Sequence, residues 1–183
     1  RTAMDVAQIA SSVTVIDREF IEQRQSAYVV DLLRGVPGLS INRSGSGGGI
    51  TEVRSRGGEA NQLLVLIDGI RANDPAANDQ FQWQTLTSHD VERIEIVRGP
   101  QSAIWGSDAN TGVINIITRK GTAGLSGSGF VEGGSYDSVS GGLRVGGGSQ
   151  EFTWGANASY LEQNDFNNAQ SGSEDDPFKN KTA

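Results

Sequence analysis

The sequence predicts an α+β domain up to about Lys120, followed by the first antiparallel strands of a transmembrane β-barrel. Before Lys120, short strand-like runs alternate with short helical patterns, and glycines mark the turns between them. After Lys120, glycines are spread through extended segments, and residues 151–161 alternate between apolar and polar side chains. We therefore divide the chain into a first domain at 1–120 and barrel strands at 121–183.

The first domain opens with a strand and two short helices. The β-branched residues of Ser12–Ile16 favour a strand, and Asp17 is suited to cap a helix that runs to Gln23. A second helix is predicted over residues 27–34, with Ser26 as its N-cap. Further strands are predicted at 39–41, 50–56, 63–67, 91–97 and 113–118, with one helical turn at 102–105.

The continuous apolar run Leu63–Ile67 predicts a strand that is buried on both faces. A tight turn at Asp68-Gly69 follows it, and residues 71–84 are polar enough to predict a loop. Within that loop, Phe81 and Trp83 have two interpretations. They could stack on a flat ligand, or they could fasten the loop to a surrounding barrel wall.

Composition excludes several classes of protein. The chain has 15 Lys+Arg against 22 Asp+Glu, a net charge of -7, which argues against binding to nucleic acid. It has no cysteine, which excludes disulfide scaffolds and thiolate metal sites, and one histidine, which leaves little for a histidine-based hydrolase. Glu92 and Glu95 have no companion nucleophile or base, so we do not expect an enzyme.

The strongest barrel signal is the segment 151–161. Its length of about ten residues suits a tilted strand that crosses a bilayer, and aromatic residues stand towards both ends, as in interfacial girdles. Preceding strands are predicted at 125–133 and 137–145, and a fourth begins at 178. A soluble antiparallel sheet with one wet face is the alternative. The apolar face of the main segment consists of Phe152, Trp154, Ala156, Ala158 and Tyr160.

Three long motifs stand in order in the second half of the first domain. They read Leu-Val-Leu-Ile-Asp-Gly-Ile-Arg at 64–71, Val-Glu-Arg-Ile-Glu-Ile-Val-Arg-Gly-Pro at 91–100, and Ser-Ala-Ile-Trp-Gly-Ser-Asp-Ala-Asn-Thr-Gly-Val-Ile-Asn-Ile-Ile-Thr at 102–118. Together with residues 31–38 and Arg56-Gly57, they resemble the plug domain of TonB-dependent outer-membrane receptors. The resemblance implies a plug seated inside a barrel of about 22 strands.

The same resemblance implies where the protein works and with what. We expect it in the bacterial outer membrane, in contact with outer-membrane lipid, with TonB as the energy-coupling partner and no nucleic acid. No TonB box is recognisable in residues 1–10, so coupling to TonB follows from the resemblance alone. The motifs are most similar to those of cobalamin receptors. Catecholate siderophore and colicin receptors share them, so a ferric siderophore or haem is an alternative ligand, and a β-rich surface adhesin is an alternative of another class.

Resemblance to the cobalamin receptors also suggests which residues bind ligand. Glu52 and Glu59 depart from the hydroxyl and the amide expected at their positions. Two carboxylates weaken the cobalamin interpretation, and they would also repel an anionic ferric siderophore. The alternative is a set of solvated loop residues. The implied ligand-binding set is Ile50, Glu52, Glu59, Ala77 and Asn78.

The resemblance further suggests calcium in the acidic loop after the third barrel strand, and no other cofactor is required. Calcium takes six to eight oxygen ligands, many of them carboxylates. Asp165, Glu174 and Asp176 stand at the matching positions, although Glu174 replaces an aspartate. Solvated surface charge is the alternative for this loop. Elsewhere, four arginines at strand ends are expected to pair with carboxylates of the barrel wall: Arg56, Arg71, Arg93 and Arg98.

Overall fold

A computed structural model describes residues 12–44, 49–121, 123–134, 138–149, 152–164 and 179–182. These residues form two compact units, one made of residues 12–44 and 49–119 and the other beginning at Lys120. No helix in the described ranges is long and apolar enough to cross a membrane. The assignment of a domain boundary after residue 120 stays a prediction.

The first unit contains seven strands and three short helices. It also has 3-10 segments at Ala60–Gln62, Pro75–Ala77 and Trp83–Thr85. In chain order the strands and helices are β1 (Ser12–Ile16), α1 (Arg18–Arg24), α2 (Val29–Leu33), β2 (Leu39–Arg43), β3 (Thr51–Ser55), β4 (Leu63–Ile67), β5 (Ile70–Arg71), β6 (Val91–Arg98), α3 (Ser102–Trp105) and β7 (Gly112–Thr118).

A mixed five-stranded sheet organises the first unit, with strand order β1-β6-β7-β4-β5. β4 and β7 are parallel, and the other neighbours are antiparallel. β4 is buried on both faces, as its continuous apolar run predicts. One face of the sheet carries a small cluster of Leu64, Leu66, Ala109 and Val113, against which Trp105 packs. β2 and β3 form a separate antiparallel pair.

Close strand packing explains the glycine that opens β7. A Cβ at Gly112 would stand 2.6 Å from the carbonyl oxygen of Val97 on β6 and 3.4 Å from the side chain of Leu63 on β4. Neither neighbour is free to move, because both belong to the sheet. A residue without a side chain is therefore required where these three strands meet.

The two N-terminal helices follow their sequence signals to different extents. Asp17 caps α1 as predicted, since its carboxylate accepts the backbone N–H of Phe20 at 2.9 Å. Ser26, in contrast, does not cap α2, and the prediction that it would is wrong. The carbonyl of Ser26 accepts the hydroxyl of Ser88, and the carbonyl of Ala27 accepts the backbone N–H of Ser88 at 3.0 Å. These bonds keep the chain extended, so α2 is shorter than predicted.

The second unit is an antiparallel sheet of four strands in the order β11-β10-β9-β8. It confirms the predicted antiparallel strands, and it is open rather than closed into a barrel. Cross-strand register places Ala156 opposite Val145 and Ala158 opposite Leu143, so the apolar residues share one face. The strands are β8 (Ser126–Gly134), β9 (Ser138–Gly148), β10 (Thr153–Asn164) and β11 (Lys179–Thr182).

That apolar face is exposed in the structure. Leu143 is 70% exposed and Val131 86%, values that a soluble protein rarely tolerates for a contiguous apolar surface. The opposite face is mostly polar, and there the ring of Phe130 covers Gly142 on the neighbouring strand. The large exposed residues of the apolar face are Val131, Val139, Leu143, Val145, Trp154 and Tyr160, and the exposed residues Leu125 and Phe152 directly precede β8 and β10.

Candidate ligand-binding surface

The structure brings two of the five predicted ligand residues together around one arginine. The Nη2 atom of Arg54 lies 3.1 Å from Glu52 Oε2 and 3.5 Å from Glu59 Oε2. Glu52 and Arg54 lie two residues apart on β3 and therefore share a face of the strand. The paired carboxylates expected from the sequence are thus partly neutralised, because they share a guanidinium. We call this group, Glu52, Arg54 and Glu59, the Arg54 cluster.

Ile50 stands immediately before β3 and is 70% exposed. Its carbonyl accepts the backbone N–H of Ser44 at 2.9 Å, which closes the pairing of β2 and β3 at that end. Ile50 is two residues from Glu52, so this end of the hairpin carries both an exposed apolar side chain and charged side chains. These side chains offer the kinds of contact that a large amphipathic ligand requires.

Ala77 and Asn78 lie in a separate segment. They end the 3-10 segment Pro75–Ala77, which Asp74 caps by accepting the backbone N–H of Ala76 at 2.9 Å. Asn78 has a left-handed backbone with φ of 55°. Among the described residues, no hydrogen bond or ion pair connects Ala77 or Asn78 to the Arg54 cluster.

Arg71 fixes the segment that carries Ala77 and Asn78. It pairs with Asp79 and with Asp108, both at 2.7 Å, and so ties β5 to the residues on either side. Half-exposed ion pairs of this kind contribute modestly to stability, about 0–1 kcal/mol each. Their effect here is to restrict the conformations of the segment.

The other strand-end arginines differ in their partners. Arg93 pairs with Glu95 at 2.9 Å, and Arg98 donates to the carbonyl of Pro37 at 2.6 Å and to Thr14 Oγ1 at 2.7 Å. Like Arg71, both are therefore bound within the first unit. Arg56 has no ion pair or hydrogen-bond acceptor for its side chain in the described part of the chain. It is the one of the four whose guanidinium is free for a further partner there.

Asn73 is a structural residue that the sequence did not indicate. It is 6% exposed, and its Oδ1 atom accepts the backbone N–H of Val65 at 2.8 Å. Its Nδ2 atom donates to the carbonyl of Leu63 at 3.1 Å and to that of Asp79 at 2.8 Å. The side chain thus forms hydrogen bonds with backbone groups along one edge of β4, as a neighbouring strand would. No sequence pattern marked this role, because β5, the short strand before Asn73, was not predicted either.

Trp83 is buried, at 2% exposure, and it contacts Phe81 edge-to-face with ring centroids 4.8 Å apart. Of the two interpretations made from the sequence, stacking of Trp83 on a ligand does not fit this burial. The pair instead packs its own segment against the interior of the first unit. The loop predicted at 71–84 is wrong in part, because it includes the end of β5, the 3-10 segment Pro75–Ala77 and the start of the 3-10 segment Trp83–Thr85.

A cation–π and ion-pair cluster fastens α2 to β2. The Arg43 guanidinium lies 5.7 Å from the ring centroid of Tyr28, and its Nη2 atom contacts both carboxylate oxygens of Asp31 at 3.1 and 3.3 Å. Burial raises the pKa of Tyr28; Arg43 opposes this effect and Asp31 adds to it.

The predicted metal ligands Asp165, Glu174 and Asp176 lie outside the described residues. Within the described ranges, no group of three or more His, Cys, Asp or Glu side chains could hold a metal ion. The calcium site stays a prediction.

The first unit coincides with a known sequence family. Residues 5–113 match the TonB-dependent Receptor Plug Domain. A curated relative, the vitamin B12 transporter BtuB of Vibrio vulnificus (strain CMCP6), is 39% identical over 118 residues. That alignment covers 64% of this chain but 19% of the relative, so the chain spans about a fifth of the length of the relative.

Solved structures show the same fold. The ferric yersiniabactin uptake receptor FyuA of Yersinia pestis is similar with a TM-score of 0.62 and 27% identity, over 85% of this chain and 24% of that one. The outer-membrane ferripyoverdine receptor of Pseudomonas aeruginosa, bound to ferripyoverdine, has a TM-score of 0.73 and 20% identity, over 87% of this chain and 21% of that one. The latter likeness concerns the fold alone.

Proposed function

Because the chain belongs to the TonB-dependent receptor plug domain family, whose members are outer-membrane receptors, we propose that it forms the plug and first wall strands of a nutrient uptake receptor. The observation that carries this proposal is the family match over residues 5–113, followed by a sheet with one exposed apolar face. That face suits contact with lipid, whereas an adhesin in water would expose it at a cost. The role is transport rather than catalysis.

Cobalamin is the ligand that we propose first. The supporting observation is the 39% identity to a vitamin B12 transporter, which is higher than the identity to either siderophore receptor above. A ferric siderophore is the second candidate, supported by the 27% identity to the ferric yersiniabactin uptake receptor. The Arg54 cluster bears on this choice, because a shared guanidinium reduces the repulsion that the Glu52 and Glu59 carboxylates would exert on an anion.

The test is direct binding to the full-length receptor in detergent micelles. Cyanocobalamin and a ferric catecholate siderophore would each be titrated by tryptophan fluorescence quenching. Saturable binding of cyanocobalamin in the nanomolar to micromolar range supports the first candidate. Binding of the siderophore alone would favour a siderophore over cobalamin as the ligand. Binding of neither compound would contradict both proposed ligands and would leave the family assignment unchanged.

We propose TonB as the energy-coupling partner of the receptor.

We also propose that the Arg56 side chain binds the wall of the full barrel. In an enclosed plug, a guanidinium without an internal carboxylate is expected to find one on the wall. Arg56→Ala in the full-length receptor is expected to make the plug more sensitive to protease. Arg93→Ala is the matched control, since Arg93 has its partner Glu95 within the plug and stands half exposed.

Calcium binding by the loop that holds Asp165, Glu174 and Asp176 is a further proposal, supported by the carboxylates themselves. Calorimetric titration of the full-length receptor with Ca²⁺, compared with the triple variant that carries Asn or Gln at these positions, tests it. Loss of Ca²⁺ binding in the variant supports the site. Equal heats of Ca²⁺ binding in both proteins would contradict the calcium site.

A further inference from the structure

An open groove lies beside the edge strand of the first unit. Its volume is about 410 Å³, and its walls come from β1, from α1 and from the turn after α2. Val15 on β1 and Phe20 on α1 are 41% and 40% exposed, so the groove has apolar walls that are partly open to solvent. Its lining includes Thr14, Val15, Phe20, Gln23, Leu32 and Pro37.

β1 has one free edge next to this groove. It pairs with β6 on one side and is the outermost strand of its sheet, and no strand of the described chain pairs with its other edge. A free edge offers a row of backbone donors and acceptors to an added strand. An adjacent apolar groove offers a place for alternate side chains of that strand, which is how strand addition obtains specificity.

The groove also carries a net negative charge, because two carboxylates line it and one cation lies beside it. Asp17 and Glu19 line it, and neither forms an ion pair in the described part of the chain. Their hydrogen bonds are local: Asp17 accepts the backbone N–H of Phe20, and Glu19 accepts Gln23 Nε2 at 3.2 Å. Glu22, on the same helix, is neutralised by Arg18 at 2.7 Å. Arg24 brings one cation near, and it lies over the Phe20 ring at 5.6 Å.

We propose that this groove binds an extended peptide segment that carries a basic residue, by adding a strand to the free edge of β1. The apolar walls accept one side chain of the added strand, and the Asp17 and Glu19 carboxylates attract its basic residue. A second copy of the chain fits poorly, because pairing β1 with β1 would bring both acidic pairs together. The proposal goes beyond nutrient uptake and does not depend on the identity of the nutrient.

The experiment uses the full-length receptor in detergent micelles and a fluorescently labelled synthetic peptide that alternates valine and lysine. Two control peptides separate the contributions to binding. One is N-methylated at alternate residues, so it keeps its charge but cannot form a strand ladder, and the other replaces lysine with glutamate. Fluorescence anisotropy is expected to show binding of the first peptide and affinities weaker by about tenfold or more for both controls.

Protein variants test whether the groove is the site. Glu19→Lys is expected to weaken binding by about tenfold, since it reverses a lining charge, and Gln23→Trp is expected to weaken it by filling the groove. Glu22→Lys, on the same helix but outside the groove, is the matched control and is expected to bind like the wild type. Protease resistance of each variant confirms that its plug is folded.

Three outcomes would overturn the proposal. Equal binding of all three peptides would show an unspecific interaction, and an equal loss with Glu22→Lys would show a general charge effect. Absence of binding up to about 1 mM peptide would show that the groove is covered, for example by the barrel wall of the same receptor.

Discussion

At the scale of single residues, Asn73 makes the clearest prediction about stability. Asn73→Ala leaves the backbone N–H of Val65 and the carbonyl of Leu63 buried without their partners. An unsatisfied buried group costs about 1–3 kcal/mol. Hydrogen–deuterium exchange of β4 in the full-length receptor is therefore expected to accelerate by about tenfold or more. The exposed Asn42 on β2 gives the control Asn42→Ala, which should leave this exchange unchanged; equal exchange in Asn73→Ala would contradict the assigned role.

Tyr28 predicts how the first unit responds to alkaline pH. Burial raises its pKa above the usual value, so folding favours the neutral phenol. The resulting stability is fully present below the ordinary tyrosine pKa of about 10 and is lost as pH rises through the higher folded value. Ultraviolet difference spectra between wild type and Tyr28→Phe are expected to show phenolate formation above pH 10. A midpoint at or below the ordinary value would contradict the raised pKa.

Residues with a local role could be predicted from the sequence, and residues with a distant partner could not. Asp17 caps its helix through a hydrogen bond to a residue three positions away, so both partners belong to one local sequence pattern. Asn73 binds residues that are 8 and 10 positions away, and Ser26 binds Ser88, 62 positions away. Ser26 therefore carries a correct local signal for an N-cap that a long-range contact overrides.

At the scale of elements, four of the five strands of the sheet were predicted, because β-branched and apolar residues are concentrated in them. The two-residue strand β5 was not predicted. The 71–84 segment was not predicted correctly, because its structure depends on ion pairs rather than on periodicity. Arg71 holds this segment through Asp79 and Asp108, and Trp83 fixes it by burial. Both features connect residues whose order in the chain gives no regular pattern.

The prediction at the scale of elements concerns ligand affinity at the hairpin of β2 and β3, and it depends on the proposed ligand. Arg54→Ala would free Glu52 and Glu59 and change the charge of the Arg54 cluster from -1 to -2. If the ligand is an anionic ferric siderophore, its affinity is expected to fall several-fold at low salt, roughly the effect of one half-exposed charge. High salt should reduce the difference. Arg34→Ala, which breaks an exposed pair with Asp31 elsewhere, is the control.

For a neutral or zwitterionic ligand such as cobalamin, the same substitution is expected to have little dependence on salt. Titrations of wild type and Arg54→Ala at two salt concentrations thus distinguish the two ligand classes as well as testing the cluster. Identical affinities for every ligand at both salt concentrations would show that the Arg54 cluster does not face the ligand.

At the scale of the whole molecule, the change of pattern at Lys120 separates two physical environments. The first unit buries its apolar residues within itself, as Ile94, Ile114 and Val53 show. The second unit instead exposes them on one face, and its other face is mostly polar. The period of two along β9 and β10 was visible in the sequence because apolar side chains lie on one face of the sheet and mostly polar ones on the other. The pairing of the edge strands β8 and β11 was not, because alternation determines the face of each side chain and not the partner of an edge strand.

The exposed apolar face predicts how substitutions affect insertion into the outer membrane. Leu143 lies near the middle of β9 and is 70% exposed, so Leu143→Arg places a charge against lipid. Near the bilayer midplane such a charge costs about 2–4 kcal/mol. The control Ser159→Arg puts the same charge on the opposite face, because Ser159 pairs with Gly142 rather than with Leu143. The fraction of full-length receptor that folds into outer membranes, measured by heat-modifiable gel mobility, is expected to fall for Leu143→Arg and to remain near wild type for Ser159→Arg. The reverse order would show that lipid lies on the other side of this sheet.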